Sequence, residues 1–568
     1  MTGYAPPLAD IAFAIRQFGG LGRDEDPSPD LVEAILGEAG RLAADVLAPL
    51  NQVGDREPAR LVDGVVRTPP GFRAAFGAFA AGGWSGVIFP EAHGGQALPQ
   101  VVATAAAEMW SAANLAFHNC PLLTQGAAEA ILRHGTEEQR RVYAEPMIQG
   151  RWTGAMCLTE PHAGSDVGAL RTRARRDGDR YRITGGKIYI TYGDHDLAEN
   201  IVQLVLARLE DAPAGTGGLS LFIVPKFLPD AAGRPGRRND WRCVSLEHKL
   251  GIHGGPTCVV AYGDEGGAEG FLLGEENRGM RCMFTMMNNA RLAVGHQGLG
   301  IAERAYQQAL AYARQRVQGS RAGRPVAIVA HPDVQRMLLT MRAQIAAMRA
   351  LAYWTAGWVD RSERHPEATA REEAADRVAF LTPLVKAWLT DTGYEIASQG
   401  VLLHGGVGYI EETGAAQHLR DARILAIYEG TNGIQAMDLV GRKLDLAGGS
   451  LPWRFLTELR RELAATGAEP PPMLALALNV IEGTTHYLQA AGPDDRAAAA
   501  APYLRLWAST LGAALLVRGA RAAASDPAGS AWPALARFFM AAVLPQAIAA
   551  ESQILAGAGL LDRDIFAD

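Results

Sequence analysis

Cysteine is scarce in this chain: five in 568 residues, at Cys120, Cys157, Cys243, Cys258 and Cys282. They fall singly, with no C-x-x-C pair and no zinc spacing, so a disulfide scaffold and a zinc module are both unexpected and a reduced, cytoplasmic setting fits best. An excess of positive charge is missing as well. At a formal net charge of −7 the chain has no general pull toward nucleic acid or an anionic membrane. Long apolar runs are also lacking. The first thirty residues carry Asp10, Arg16 and several prolines and acids, which interrupts any leader-like core. The most apolar late stretch, Phe538 to Ala550, is broken by Pro545 and Gln546 and ends at Glu551, short of the ~20 residues that cross a bilayer. It reads as a buried helix, and no membrane span is expected.

What is there is ordinary globular composition, 48% hydrophobic and 20% charged, in a chain long enough for three or four domains. From about 29 to 148 apolar residues such as Leu31, Ile35, Leu42 and Val46 recur at helical spacing. From about 152 to 275 short strands such as Tyr181 to Thr184 and Leu219 to Pro225 alternate with Gly, Asp and Pro turns. Long Ala/Leu/Arg patterns return from about 283 to 445, long enough for paired bundle helices. A break from Gly448-Gly449-Ser450 to Pro470-Pro471-Pro472 precedes further Ala/Leu-rich helices. The expected fold class is therefore α+β and multidomain. It comprises an N-terminal helical domain (1–150), a middle antiparallel β domain (151–278), a helical bundle (279–446) and an extra C-terminal helical domain (447–568).

One carboxylate stands out. In Ile427-Tyr428-Glu429-Gly430-Thr431-Asn432 the acid precedes a glycine, whose missing Cβ lets backbone approach a ligand closely. Apolar surroundings would raise the Glu429 pKa and make it a stronger base, as proton abstraction from a weak carbon acid requires. Read alone, the same residues also describe an acid opening a helix at a Gly/Thr/Asn turn, the commoner use of such a pattern.

Far upstream the chain reads Met156-Cys157-Leu158-Thr159-Glu160-Pro161-His162-Ala163-Gly164-Ser165-Asp166, followed by Gly186-Lys187-Ile188-Tyr189-Ile190-Thr191. Alone, the first segment is a strand and a Gly-Ser-Asp turn whose amides could hold a phosphate. Taken with the late Tyr-Glu-Gly-Thr, and in this order over about residues 70 to 445, the sequence resembles the acyl-CoA dehydrogenase family. Thr191 to Asn200, Met286 to Gly295 and His404 to His418 carry the likeness further. They place it nearest the branch that has the extra C-terminal domain and acts on 3-methylthiopropanoyl-CoA.

That resemblance implies FAD as cofactor and α,β-dehydrogenation of an acyl-CoA thioester. Glu429 would be the base, its own N–H and a ribityl hydroxyl would stabilise the developing thioester oxyanion, and an electron-transferring flavoprotein would accept the electrons. It also implies a homodimer or homotetramer. Met156, Leu158 and Thr159 would lie along the flavin, with Gly164 in the loop, Ser165 at cofactor or CoA phosphates, and Tyr189 and Thr191 flanking the ring; His162 receives no role. Arg316 with Gln318, after a long helix, would reach the FAD pyrophosphate, although a family Phe-Gly is replaced here by Gly319-Ser320; a solvated arginine is the plain alternative. Gly405 and Gly406 lack the spacing of a Rossmann loop and would let a neighbouring subunit's FAD lie against backbone, with Leu402 standing where a glutamine is usual. Thr431 would join the cofactor contacts. Tyr428, Gly430, Ser165 and Arg291 would face the substrate, Arg291 being otherwise an ordinary helix-face charge. Ala290 occupies the position where some relatives place their base, which leaves Glu429. Trp84, Phe89, Phe117, Leu122 and Leu123 match the region that closes the acyl pocket and are expected to floor it, favouring a short or medium chain, thioethers included. No metal is expected. Two alternatives share the scaffold: an oxidase that uses O2, and a DNA-associated flavoprotein with a basic surface built from Arg454, Arg460, Arg461, Arg518 and Arg521.

Overall fold

The computed structural model describes residues 3–23, 25–464 and 471–566; Pro470 of the proline run lies outside them. The chain forms two compact units. One comprises Arg41–Pro99 and Ala113–Ala293, the other Met1–Gly40, Gln100–Ala112 and Val294–Asp568.

The sheet unit is built on eight strands: β1 (Trp152–Cys157), β2 (Arg173–Asp177), β3 (Arg180–Thr191), β4 (Asn200–Leu209), β5 (Leu219–Pro225), β6 (Trp241–Leu246), β7 (Thr257–Tyr262) and β8 (Ala268–Leu273). Their order is β6-β7-β3-β8-β5-β4-β1, with β2 beside β3 and β4. Pairing is antiparallel except where β4 lies parallel to β1 and β2. The long excursion between β1 and β4 supplies the crossover that a parallel pair needs. β5 is buried at every residue, Ser220 included, because the sheet is covered on both faces. Val202, Leu204, Leu206, Leu219, Leu221 and Ile223 turn to one core, shared with helix α1 (Leu115–His134). Val205, Ala207, Leu209, Phe222 and Val224 turn to the other. Asn114 caps α1 by accepting from the Phe117 N–H at 3.0 Å. Gly154 lets β1 approach α1 closely, since a Cβ there would stand 2.4 Å from that of Ala127.

Of the five side chains expected to floor an acyl pocket, four are buried. Phe117 is fully buried, edge-on to Phe72 and Phe79 at 5.8 and 6.2 Å. Phe89, Leu122 and Leu123 fill the core with Ala127, Met283 and Met286, and Trp84 is half-buried.

Helix α2 (Gly279–Gln315) packs in the sheet unit up to Ala293 and in the helical unit from Val294. There it meets α3 (Pro332–Arg364) and α4 (Ala368–His404). The α2–α4 crossing is tight. A Cβ on Gly298 would fall 2.5 Å from the Leu389 carbonyl oxygen, and one on Gly393 2.5 Å from that of Gly298. The core of this unit also holds charge: Arg349, 1% exposed, donates to Glu108 at 2.6 Å and to Glu303 at 2.8 Å, while the Tyr353 hydroxyl donates to Glu108 at 2.6 Å. Each group is thereby paired, as buried ions must be.

Beyond α5 (Asn432–Asp438), the extension begins with α6 (Leu451–Ala464) and includes the mostly buried α7 (Pro493–Ala522). By length and composition α7 could cross a membrane, but 83% of its apolar window is buried in the unit. The stretch expected to be one buried helix, 538–550, is two short helices, the end of Trp532–Ala542 and Leu544–Ile548, with one face buried. Proline at 545 starts the second helix rather than kinking a longer one. Of the arginines considered for a basic surface, Arg460 pairs with Glu482 at 2.5 Å and Arg518 lies over the Phe18 ring.

Candidate active site

In the sheet unit, the Thr-Glu-Pro segment leaves β1 and returns against β3. The Ile188 N–H donates to the Thr159 carbonyl at 2.9 Å, and Glu160 and Ala163 exchange backbone bonds at 3.0 and 3.1 Å. The loop is fixed by a pair that the motif alone does not announce. Glu160 accepts from Lys187 Nζ at 2.8 Å and from the backbone N–H groups of Arg171 and Thr172 at 2.7 and 3.0 Å; Lys187 also donates to the Leu158 carbonyl at 2.8 Å. The Lys187 side chain is wholly buried and that of Glu160 is 3% exposed. Burial pushes the Glu160 carboxyl up, but the Lys187 charge and the donated hydrogen bonds outweigh it and bring the pKa to about 2. Burial pulls Lys187 the other way, below its usual range.

This frame gathers most of the expected flavin residues. Met156 and Thr159 are half-buried, Leu158 is buried, and Gly164 and Ser165 are exposed, with open space where a Gly164 Cβ would stand. Tyr189 combines a left-handed backbone, φ +59°, with a ring left 60% exposed, and Thr191 follows half-buried. A tyrosine pays for such a backbone without burying its ring, a pairing that marks functional surfaces. His162 is exposed and hydrogen-bonds the Ala169 carbonyl. Arg291 is 6% exposed, over the Phe284 ring and 3.3 Å from Asn288 Oδ1, so part of its donor set is used within its own helix. Ala290 is buried.

In the helical unit, Tyr428, Glu429, Gly430 and Thr431 form one turn. Glu429 has φ +57° and Gly430 φ +83°. The Thr431 hydroxyl caps α5 by accepting from the Ile434 N–H at 3.1 Å. The Tyr428 hydroxyl donates to Gln297 Oε1 at 2.5 Å, and burial, then the adjacent Glu429 charge, hold this phenol well above its ordinary pKa. Thus the turn is anchored on one side to α2.

Arg316 and Gln318 are exposed on the hairpin that follows α2, and the Gln318 carbonyl accepts from the His331 ring. Gly405, φ +63°, and Gly406 are exposed, with nothing near either missing Cβ. α4 precedes these glycines where a Rossmann loop would need a strand. Tyr312 stacks on His404 with ring centroids 4.6 Å apart. Since Arg316 lies one turn beyond Tyr312 and Gly405 directly follows His404, the stack sets the arginine and the glycine turn at the same end of the helix pair. Gly408 is required by packing, as a Cβ there would stand 2.3 Å from the Val401 carbonyl oxygen.

In the sheet unit, the open Gly164 backbone and the strained, uncovered Tyr189 suit a phosphate and a flat ring. In the helical unit, Arg316 exposed at a helix end and the open Gly405-Gly406 backbone suit a pyrophosphate such as that of FAD. Among the described residues there is no group of three or more His, Cys, Asp or Glu placed to hold a metal ion.

Four stretches match known domain descriptions: acyl-CoA dehydrogenase N-terminal domain at 33–151, middle domain at 155–264, C-terminal domain at 277–444, and "Acetyl-CoA dehydrogenase C-terminal like" at 455–562. The chain is 48% identical to the 3-methylmercaptopropionyl-CoA dehydrogenase of Ruegeria pomeroyi, over 89% of this chain and 88% of that protein. It is 36% identical to a broad-specificity linear acyl-CoA dehydrogenase of Mycobacterium tuberculosis, over 87% and 85%. An acyl-CoA dehydrogenase of Bacillus anthracis solved with FAD shares the fold, with a TM-score of 0.76 at 23% identity over 98% of this chain and 93% of that one.

Proposed function

This chain belongs to the acyl-CoA dehydrogenase family, and from that premise we propose that Glu429 withdraws the α proton of a short or medium acyl-CoA while the β hydrogen leaves as hydride, giving a trans-2-enoyl-CoA. The enzyme is FAD-dependent, and bound FAD supplies the hydride acceptor. The observation that carries the reading is the Glu429 turn. A carboxylate held in a left-handed backbone, between a tied-down tyrosine and a capped helix, is a positioned base rather than a loose helix-start acid.

Around it we assign Tyr428 and Gly430 to the walls of the reacting end and Thr431 to the cofactor side. Arg316, Gln318, Gly405 and Gly406 would hold the dinucleotide, and Met156, Leu158, Thr159, Gly164, Ser165, Tyr189 and Thr191 the ring and nearest phosphates. Ser165 and Arg291 would also contact substrate. The acyl group we favour is 3-methylthiopropanoyl or an aliphatic chain of similar length, on the strength of the Ruegeria relative. An electron-transferring flavoprotein is the proposed acceptor and a homo-oligomer the proposed assembly.

Anaerobic mixing of the FAD-loaded protein with 3-methylthiopropanoyl-, butyryl-, octanoyl- and palmitoyl-CoA tests this directly. Rapid bleaching of the flavin by the shorter thioesters is expected. No bleaching by any of them, with FAD bound, would remove the proposed reaction, and a rise in kcat/KM continuing to palmitoyl-CoA would remove the substrate range. Fast oxygen uptake on re-aeration with substrate would make O2 the acceptor in place of an electron-transferring flavoprotein.

A further inference from the structure

The turn that carries Glu429 is gripped on its far side as well. Asn432, three residues on, puts its side-chain amide among groups from a single stretch of α4. Its Oδ1 accepts from Lys386 Nζ at 2.7 Å, and its Nδ2 donates to Asp391 Oδ1 at 2.7 Å, to Thr390 Oγ1 at 2.9 Å and to the Ala387 carbonyl at 3.2 Å. Lys386 and Thr390 are fully buried. An amide set between an ammonium and a carboxylate has one orientation, because turning it over would put N–H against the cation and C=O against the anion. The grip is therefore directional and supplies charge-assisted bonds.

Two left-handed residues in a row, Glu429 and Gly430, precede this anchor. For the glutamate that backbone is strained and persists only where neighbours over-determine it. Gln297 holds Tyr428 on one flank; Lys386, Thr390 and Asp391 hold Asn432 on the other. The two anchoring helices touch through Gly298, next to Gln297, and Thr390. Resting on the assignment of Glu429 as base, we propose that Asn432, clamped by Lys386, Thr390 and Asp391, is a positioning residue that sets the Glu429 carboxylate for proton abstraction.

The test is anaerobic stopped-flow reduction of the FAD-loaded enzyme by butyryl-CoA, with light and α-deuterated substrate. It compares wild type with Asn432→Ala, Asn432→Asp, the N432D/D391N swap and Glu429→Gln. Asn432→Ala should keep its FAD and its KM while flavin reduction slows about 10- to 100-fold, the scale of an ångström's misplacement, and the deuterium isotope effect should grow as proton transfer becomes more limiting. Asn432→Asp faces a second carboxylate at Asp391 and should slow similarly. The swap restores a donor opposite an acceptor while keeping an acceptor for Lys386, so it should regain most of the lost rate. Wild-type rate and isotope effect in Asn432→Ala would overturn the proposal, as would a swap no faster than either single change, or a rate loss that merely tracks FAD content. Glu429→Gln separates the two levels. If it is inert while Asn432→Ala is unaffected, the clamp alone fails; if it bleaches normally, the base assignment fails and the clamp falls with it.

Discussion

At Glu429, replacement by glutamine keeps the shape of the side chain and removes its capacity to accept a proton. Glu429→Gln should bind FAD and acyl-CoA as before and lose flavin reduction by ~10²- to 10⁴-fold or more, as for general bases with no substitute nearby; a near-normal bleaching trace would point to a different base. The Glu160–Lys187 pair carries a pH dependence of fixed sign. The Glu160 carboxyl lies near 2 in the fold against 4.5 as its ordinary value, so its stabilisation is fully present above about 4.5 and drains away as pH falls toward 2. Thermal melts should therefore decline over that window. Lys187→Met, which strands a buried carboxylate, should lose about 3–5 kcal/mol of stability at neutral pH and lose less on acidification. A variant that follows the wild-type pH curve would show that the pair is not responsible. The Glu429 turn was readable as a candidate because its residues form a contiguous run. Lys187 was not: between Gly186 and Ile188 it reads as a surface lysine, and its partners stand 27 and 29 positions away. The Lys386–Asn432 bond, spanning 46 positions, was hidden for the same reason.

Among the elements, the strands were the most legible, since alternation and turn residues are local. β5 was readable as a strand between turns, while its burial on both faces was not. The parallel pairing of β4 with β1 was not legible, because nothing local marks which strand a returning chain will meet. Nor was the breakage of 538–550 into short helices, which reflects packing of one face more than composition. The α2–α4 crossing yields a sharp expectation. Gly298→Val drives a branched side chain into the Leu389 backbone, and overpacking of this kind costs ~1–3 kcal/mol or more. A fall of several degrees in the melting temperature is expected, and an unchanged melt would mean that the helices separate at little cost.

For the whole chain, the order of helices, strands, helices and a further helical domain was legible from texture alone, whereas the attachment of the last domain to the bundle was not. That attachment includes Arg377, whose guanidinium lies over the rings of Trp358 and Phe455 at 4.5 and 5.1 Å and bonds Glu458 at 2.7 and 2.5 Å. Phe380 stacks on Phe455 and meets Trp507 edge-on, both at 5.2 Å. A guanidinium wedged between two aromatic planes and salt-bridged across the join is a rivet, and it passes through both parts. The practical consequence concerns dissection. A chain cut after residue 446 would leave Arg377 without its carboxylate and Phe380 without its stacking partners, so the bundle should not behave as a shortened version of the same enzyme. Calorimetry of the intact protein should accordingly show the bundle and the extension melting in one transition, with Arg377→Ala splitting it in two; two separate endotherms in the wild type would mean that the extension is a passenger.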